Sequence, residues 1–160
     1  ETPIKIIRPF NVYGPRQSTR AIIPTIITQA LNSKKQLHLG KTDTKRDYTY
    51  VTDTCEGFLD IFHSNKSFGE ITNIGTNKSF SILDIANKIF NIIGVQPEII
   101  KDINRVRPTK SEVTELHCDN SKLIKNTNWS QKISFDDGLK ETIKWFEKYK
   151  DNYNSLNYHV

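Results

Sequence analysis

Apolar residues recur along this chain with two periods, one of strands and one of helices. Ile4-Lys5-Ile6-Ile7 is a short β-branched run that reads as a buried strand, and the chain turns at Gly14-Pro15. Over residues 19–33, Ile22, Ile23, Ile26, Ile27, Ala30 and Leu31 form one wide helical stripe. Pro24 belongs near the start of that helix, which places its first turn at Ile23 or later. Leu37-His38-Leu39, closed by Gly40, reads as a strand, as does 46–51, where Tyr48 and Tyr50 share a face. Asp53 with Glu56 resembles a capping box opening a helix whose apolar face is Phe58, Leu59, Ile61 and Phe62. A strand over 70–74 stops at Gly75. A strong helix follows, capped by Ser81 with Asp84, lined by Ile82, Ile85, Ala86, Ile89, Phe90 and Ile93, and ended by Gly94. The spacing predicts a strand over 97–101, a polar loop over 102–118, and helices over 119–126 and 136–150. The tail, 151–160, reads as frayed.

Lone strands separated by helices, with no repeat and no linker, predict one α+β or α/β unit over residues 1–150 that completes a sheet begun elsewhere. The chain opens on Glu1 and contains no Met, which reads as part of a longer polypeptide.

Composition narrows the classes. At 160 residues, 36% hydrophobic and 26% charged, the chain is one ordinary globular domain without an apolar run of membrane-spanning length, and no membrane partner is expected. Cys55 and Cys118 lie far apart and outside any Cys-x-x-Cys pair, which points to thiols in a reducing cytoplasm. The four histidines show no metal-ligand spacing, so no metal is expected. The net charge of +5 raises nucleic acid as a partner, but the lysines spread over helix faces rather than along a stripe, and no nucleic-acid binding is expected. Arg8, Arg16, Arg46, Arg105 and Arg107 differ in lying at strand ends or in loops. A planar guanidinium fork there suits the oxygens of a small phosphorylated ligand. No Gly-rich phosphate turn and no nucleophile–base set is present. On the residues alone this is a domain that binds an anion.

Arg8-Pro9-Phe10-Asn11-Val12-Tyr13-Gly14-Pro15-Arg16 resembles the Arg-x-x-Asn-x-Tyr-Gly-Pro segment of extended short-chain dehydrogenases that act on nucleotide sugars. Further stretches follow in the same family's order. Arg46-Asp47-Tyr48 with Val51 and Asp53 is similar to its Arg-Asp-aromatic strand and helix start. Ile71-Thr72-Asn73-Ile74-Gly75 is similar to its Tyr-Asn-Ile-Gly strand, and Arg107-Pro108 with Glu112 to its Arg-Pro-x-Asp segment. Asp119-Asn120-Ser121-Lys122 with Trp129 resembles a later helix and Gly-Trp. The ordered set covers roughly residues 4–150.

The resemblance implies a Rossmann-like α/β fold, of which this chain would hold the last sheet strands and a small α/β substrate-binding domain, with the NAD-binding part preceding it. It implies a substrate-binding role for Asn11, Arg16, Leu37, Leu39, Arg46, Arg107 and Glu112. Arg46 and Arg107 would grip a diphosphate, Leu37 and Leu39 would pack on the base, and Glu112 would reach the ribose. Pro9 and Phe10 would contact the nicotinamide end of NAD. The family's Tyr-x-x-x-Lys pair is not in this chain, so no catalytic residue is assigned and the chain alone is expected to be inactive. The implied enzyme is a 4,6-dehydratase of UDP-N-acetylglucosamine type, with a UDP- or dTDP-sugar as ligand and a homodimer as its full-length form. A 4-epimerase, a UDP-glucuronate decarboxylase and a non-catalytic nucleotide-sugar binding module are the alternatives.

Overall fold

The computed structural model describes residues 2–106 and 113–153. Eight strands and five helices follow one another along it: β1 (Ile6–Pro9), β2 (Asn11–Tyr13), α1 (Ile22–Asn32), β3 (Gln36–Leu39), β4 (Lys45–Tyr50), α2 (Val51–His63), β5 (Ile71–Ile74), β6 (Ser79–Ser81), α3 (Ile82–Ile93), β7 (Glu98–Lys101), β8 (Glu115–Leu116), α4 (Ser121–Asn126) and α5 (Phe135–Lys148). They form three small sheets among the described residues. β1 and β5 pair in parallel, β3 and β7 pair in parallel, and β2-β4-β6 form a path on which β8 also joins β4. The expectation of scattered strands and an α/β fold holds.

The main core lies between α1, α3 and α5 and the strands beside them. Ile23, Ile26, Ile27 and Ala30 of α1 meet Ile85, Ala86 and Ile89 of α3 and Leu139, Ile143 and Phe146 of α5, all buried. Helix α1 begins at Ile22, one residue earlier than the position of Pro24 predicts. Pro24 still falls in the first turn, where no intrahelical bond needs its missing N–H. Helix α3 has the expected ends: Ser81 and Asp84 make a reciprocal capping box, and Gly94 takes the left-handed conformation that closes the last turn.

Several expectations shift. The first strand runs two residues further, to Pro9, because its partners are Ile71 to Ile74 of β5. The stretch read as leading into a turn holds a second strand, β2, which pairs with Tyr48, Thr49 and Tyr50 of β4. Asp53 does not cap α2. The helix starts at Val51 after Tyr50, and the Asp53 carboxylate instead accepts from the amides of Lys132 (3.1 Å) and Ile133 (3.0 Å). The indole of Trp129 donates to the Asp53 carbonyl at 2.8 Å. The loop before α5 is thereby fastened to α2.

The predicted apolar face of α2 divides. Ile61 is buried beside Ile74, Leu123 and Trp129. Phe58, Leu59 and Phe62 stand 42%, 52% and 73% exposed. Ile6 and Ile71, paired across β1 and β5, are exposed as well. Parallel strands are ordinarily covered on both faces, so this corner carries apolar surface that the described residues leave open. The loop read over 102–118 includes a 3-10 turn, Ile103–Arg105, and β8.

Candidate functional site

Strands β2 and β4 bring the first and second motifs side by side. Asn11 lies opposite Tyr48 in register, and its Nδ2 donates to the Asp47 carbonyl at 3.0 Å. Side chains alternate along β4, so Arg46 and Tyr48 line the cavity while Asp47 between them is fully buried elsewhere. The cavity measures about 500 Å³ and is walled by β2, the start of α1, the end of β3 and β4. Arg46 Nη1 donates to the Lys45 carbonyl at 2.7 Å, which steers the guanidinium back along its own strand.

Four cations line this space, Arg20, Lys41, Arg46 and Arg105, and no carboxylate does so among the described residues. Ala21, Ile22 and Thr25 of α1 also line it. The first turn of α1 has no side-chain cap. The positive end of the helix dipole adds to the four cations. Arg105 is held by Asp102, Nε to Oδ2 at 3.0 Å. Such a set is chemically suited to an anion bearing several oxygens, which the forks of the arginines could orient.

Tyr48 at the cavity and its ring neighbour Tyr13 stay protonated near neutrality and offer no base there. Burial raises the Tyr48 phenol to about 12, only partly opposed by the nearby Arg46 charge. Tyr13 is raised further, by burial first and then by Tyr50 and nearby carboxylates. Its hydroxyl donates to the Phe135 carbonyl at 3.0 Å, which ties the motif strand to the first residue of α5. Tyr13 is therefore a structural cross-link.

The sequence-derived site residues separate in space. Asn11, Leu39 and Arg46 come together at the cavity. Leu37 is fully buried in the main core and does not line it. Arg16 sits exposed in the turn after β2 with φ at 66°, outside the cavity lining. Pro9 and Phe10 lie at the carboxyl end of the parallel β1–β5 pair, Pro9 exposed and Phe10 half-buried. Arg107 and Glu112 lie outside the described residues. Arg20 and Lys41 line the cavity but belong to no motif. The available signal was a cation placed just before the apolar stripe of α1, where a helix start collects anions.

This chain matches the family model described as GDP-mannose 4,6 dehydratase over residues 1–142. It is 31% identical over 159 residues to human dTDP-D-glucose 4,6-dehydratase, covering 96% of this chain and 44% of the relative. It is 32% identical to UDP-N-acetyl-alpha-D-glucosaminuronate decarboxylase of Bacillus cytotoxicus, covering 94% of this chain and 48% of that protein. Among solved structures, UDP-glucuronic acid 4-epimerase of Bacillus cereus, in complex with UDP-glucuronic acid and NAD, superposes with a TM-score of 0.79 at 31% identity, over 92% of this chain and 46% of that one. dTDP-glucose 4,6-dehydratase of Bacillus anthracis, in complex with NAD, gives 0.81 at 28% identity, over 97% and 48%. The chain thus spans less than half the length of these relatives. With the ordered motifs, the α/β topology and a match over nearly the whole chain, this protein belongs to the GDP-mannose 4,6 dehydratase family of nucleotide-sugar enzymes.

Proposed function

We propose that this chain is the substrate-binding portion of an NAD-dependent nucleotide-sugar 4,6-dehydratase, with a UDP-N-acetylglucosamine-like substrate and a 4-keto-6-deoxy product. The observation that carries the reading is the convergence of Asn11, Arg46 and three further cations on one cavity at an uncapped helix start. In this reading Arg46 and Arg105 take the diphosphate, Asn11 orients it or the sugar, and Leu39 packs on the base. Arg107, Glu112 and Arg16 are assigned to the same ligand from their motif positions.

Pro9 and Phe10 stand where parallel α/β sheets present ligands, at the carboxyl ends of the strands. An exposed proline and a half-buried phenylalanine fit the flat apolar end of a nicotinamide ring. NAD, when bound, supplies the hydride acceptor and donor for such a reaction. The proton-moving groups are assigned to a nucleotide-binding half of the natural polypeptide, which would also cover Phe58, Leu59 and Phe62 of α2. The 160 residues alone are accordingly expected to be inactive.

A second reading, 4-epimerase or decarboxylase, is favoured by the relatives that carry those names. The test is product analysis of the natural polypeptide containing this chain, given NAD and either UDP-N-acetylglucosamine or UDP-glucuronic acid. Loss of one water from the first, giving a 4-keto-6-deoxy sugar, is the expected result. A C4 epimer or release of carbon dioxide from the second, with the first unchanged, would overturn the dehydratase in favour of the alternative.

A further inference from the structure

We infer that Asp47 is a positioning residue for this cavity: its buried carboxylate clamps the turn leaving β5 onto β4 and thereby sets the places of Asn11 and Arg46. The inference rests on the reading of the cavity as a diphosphate site.

Asp47 is 0% exposed. A carboxylate in that setting is costly unless donors surround it, and three do. Oδ1 accepts from the Thr76 amide and from Thr76 Oγ1, each at 2.9 Å, and Oδ2 accepts from the Lys78 amide at 3.3 Å. All three belong to the turn that joins β5 to β6. The same turn packs closely at Gly75: a Cβ there would lie 2.4 Å from the Cβ of Cys118 and 3.3 Å from Asp47 Oδ2. The turn therefore has little room to move.

The backbone of the same residue faces the other way. Its carbonyl accepts from Asn11 at 3.0 Å, and its chain neighbours Arg46 and Tyr48 line the cavity. β1 and β5 form one sheet, β2, β4 and β6 another. Asp47 joins the exit of the first to the middle strand of the second. The cavity's two motif residues thus take their position from a residue outside the cavity lining. An acceptor-only side chain is required. Asparagine would aim an N–H₂ at one of the three donors and break the set.

The test is a double-mutant cycle on UDP affinity, measured by calorimetry on the natural polypeptide that contains this chain, with Arg46→Ala, Asp47→Asn and the pair. Asp47→Asn is expected to weaken UDP binding by about tenfold, the size of a coupling within one hydrogen-bond network. In the Arg46→Ala background the same change should cost clearly less, leaving only the part that acts through Asn11. No loss with Asp47→Asn, or an equal loss in both backgrounds, would overturn the inference while leaving the cavity reading intact. No loss with Arg46→Ala would remove the cavity reading and this inference together. Should Asp47→Asn fail to fold, Thr76→Val, which removes only one donor, is read in the same cycle. It is expected to give a smaller loss that also shrinks with Arg46→Ala, and a loss that is absent or undiminished would be contrary.

Discussion

The Asn11 side-chain amide donates to the Asp47 main-chain carbonyl across 3.0 Å, stitching β2 to β4 beside the cationic cavity. Asn11→Asp replaces that donor with a charged acceptor facing a carbonyl. The loss should be about 0.5–1.5 kcal/mol of stability, the net contribution of a part-buried hydrogen bond. Urea unfolding checks it, read as a lower midpoint at unchanged slope. A midpoint equal to the parent's would show that the bond contributes nothing.

Tyr13 and Gly138 touch. A Cβ on Gly138 would lie 2.2 Å from the Tyr13 hydroxyl and 2.8 Å from the Tyr50 ring. Gly138→Ala should therefore destabilise by more than the propensity gain of a helical alanine returns, about 1–3 kcal/mol net. Tyr13→Phe in the same chain should relieve part of that clash, since the hydroxyl is the nearest atom. Thermal melting of both single variants and the pair measures the coupling.

Alkaline pH should unfold this protein early. Unfolded Tyr48 ionises near 10.0, whereas burial holds it at about 12 when folded. Below pH 10 both states are neutral and its contribution is fully present. As pH rises from 10 towards 12 the unfolded state loses its proton first, and stability falls by up to about 3 kcal/mol. Tyr48→Phe should flatten that part of the pH–stability curve, and denaturant titrations at several pH values between 8 and 12 decide it.

The two thiols should differ in reactivity. Cys118 is buried and its thiol is pushed up to about 12 by burial, with Asp47 and Asp119 adding to it. Cys55 is exposed on α2, in helical register with Phe58, Leu59 and Phe62. Alkylation of the native 160-residue chain near pH 8 should modify Cys55 and spare Cys118. On the proposal that a nucleotide-binding half covers this face, Cys55 should become protected as well in a polypeptide that carries that half. Equal labelling in both contexts would contradict the assignment of the open α2 face.

Helix cores and the capping box at Ser81 were legible in the sequence because periodicity and caps are local signals. The bounds that failed depend on distant partners. β1 extends to Pro9 and β2 exists because of β5 and β4, which lie more than thirty residues away. Asp53 reads as a cap, but its donors are Lys132 and Ile133, from the loop before α5. For the site, Asn11 and Arg46 were legible as motif residues, whereas Arg20 and Lys41 belong to no motif and join the cavity only through tertiary folding. Leu37 and Leu39 share one face of β3, yet only Leu39, at its end, reaches the cavity.

On the proposed function, Arg46 grips the diphosphate of a nucleotide sugar. The most direct measurement of that grip is calorimetric titration of UDP into the natural polypeptide and its Arg46→Ala variant at low and moderate salt. Loss of a bidentate charge-assisted contact predicts a Kd raised about tenfold or more, with a shallower salt dependence. An unchanged Kd at both salt concentrations would contradict the account.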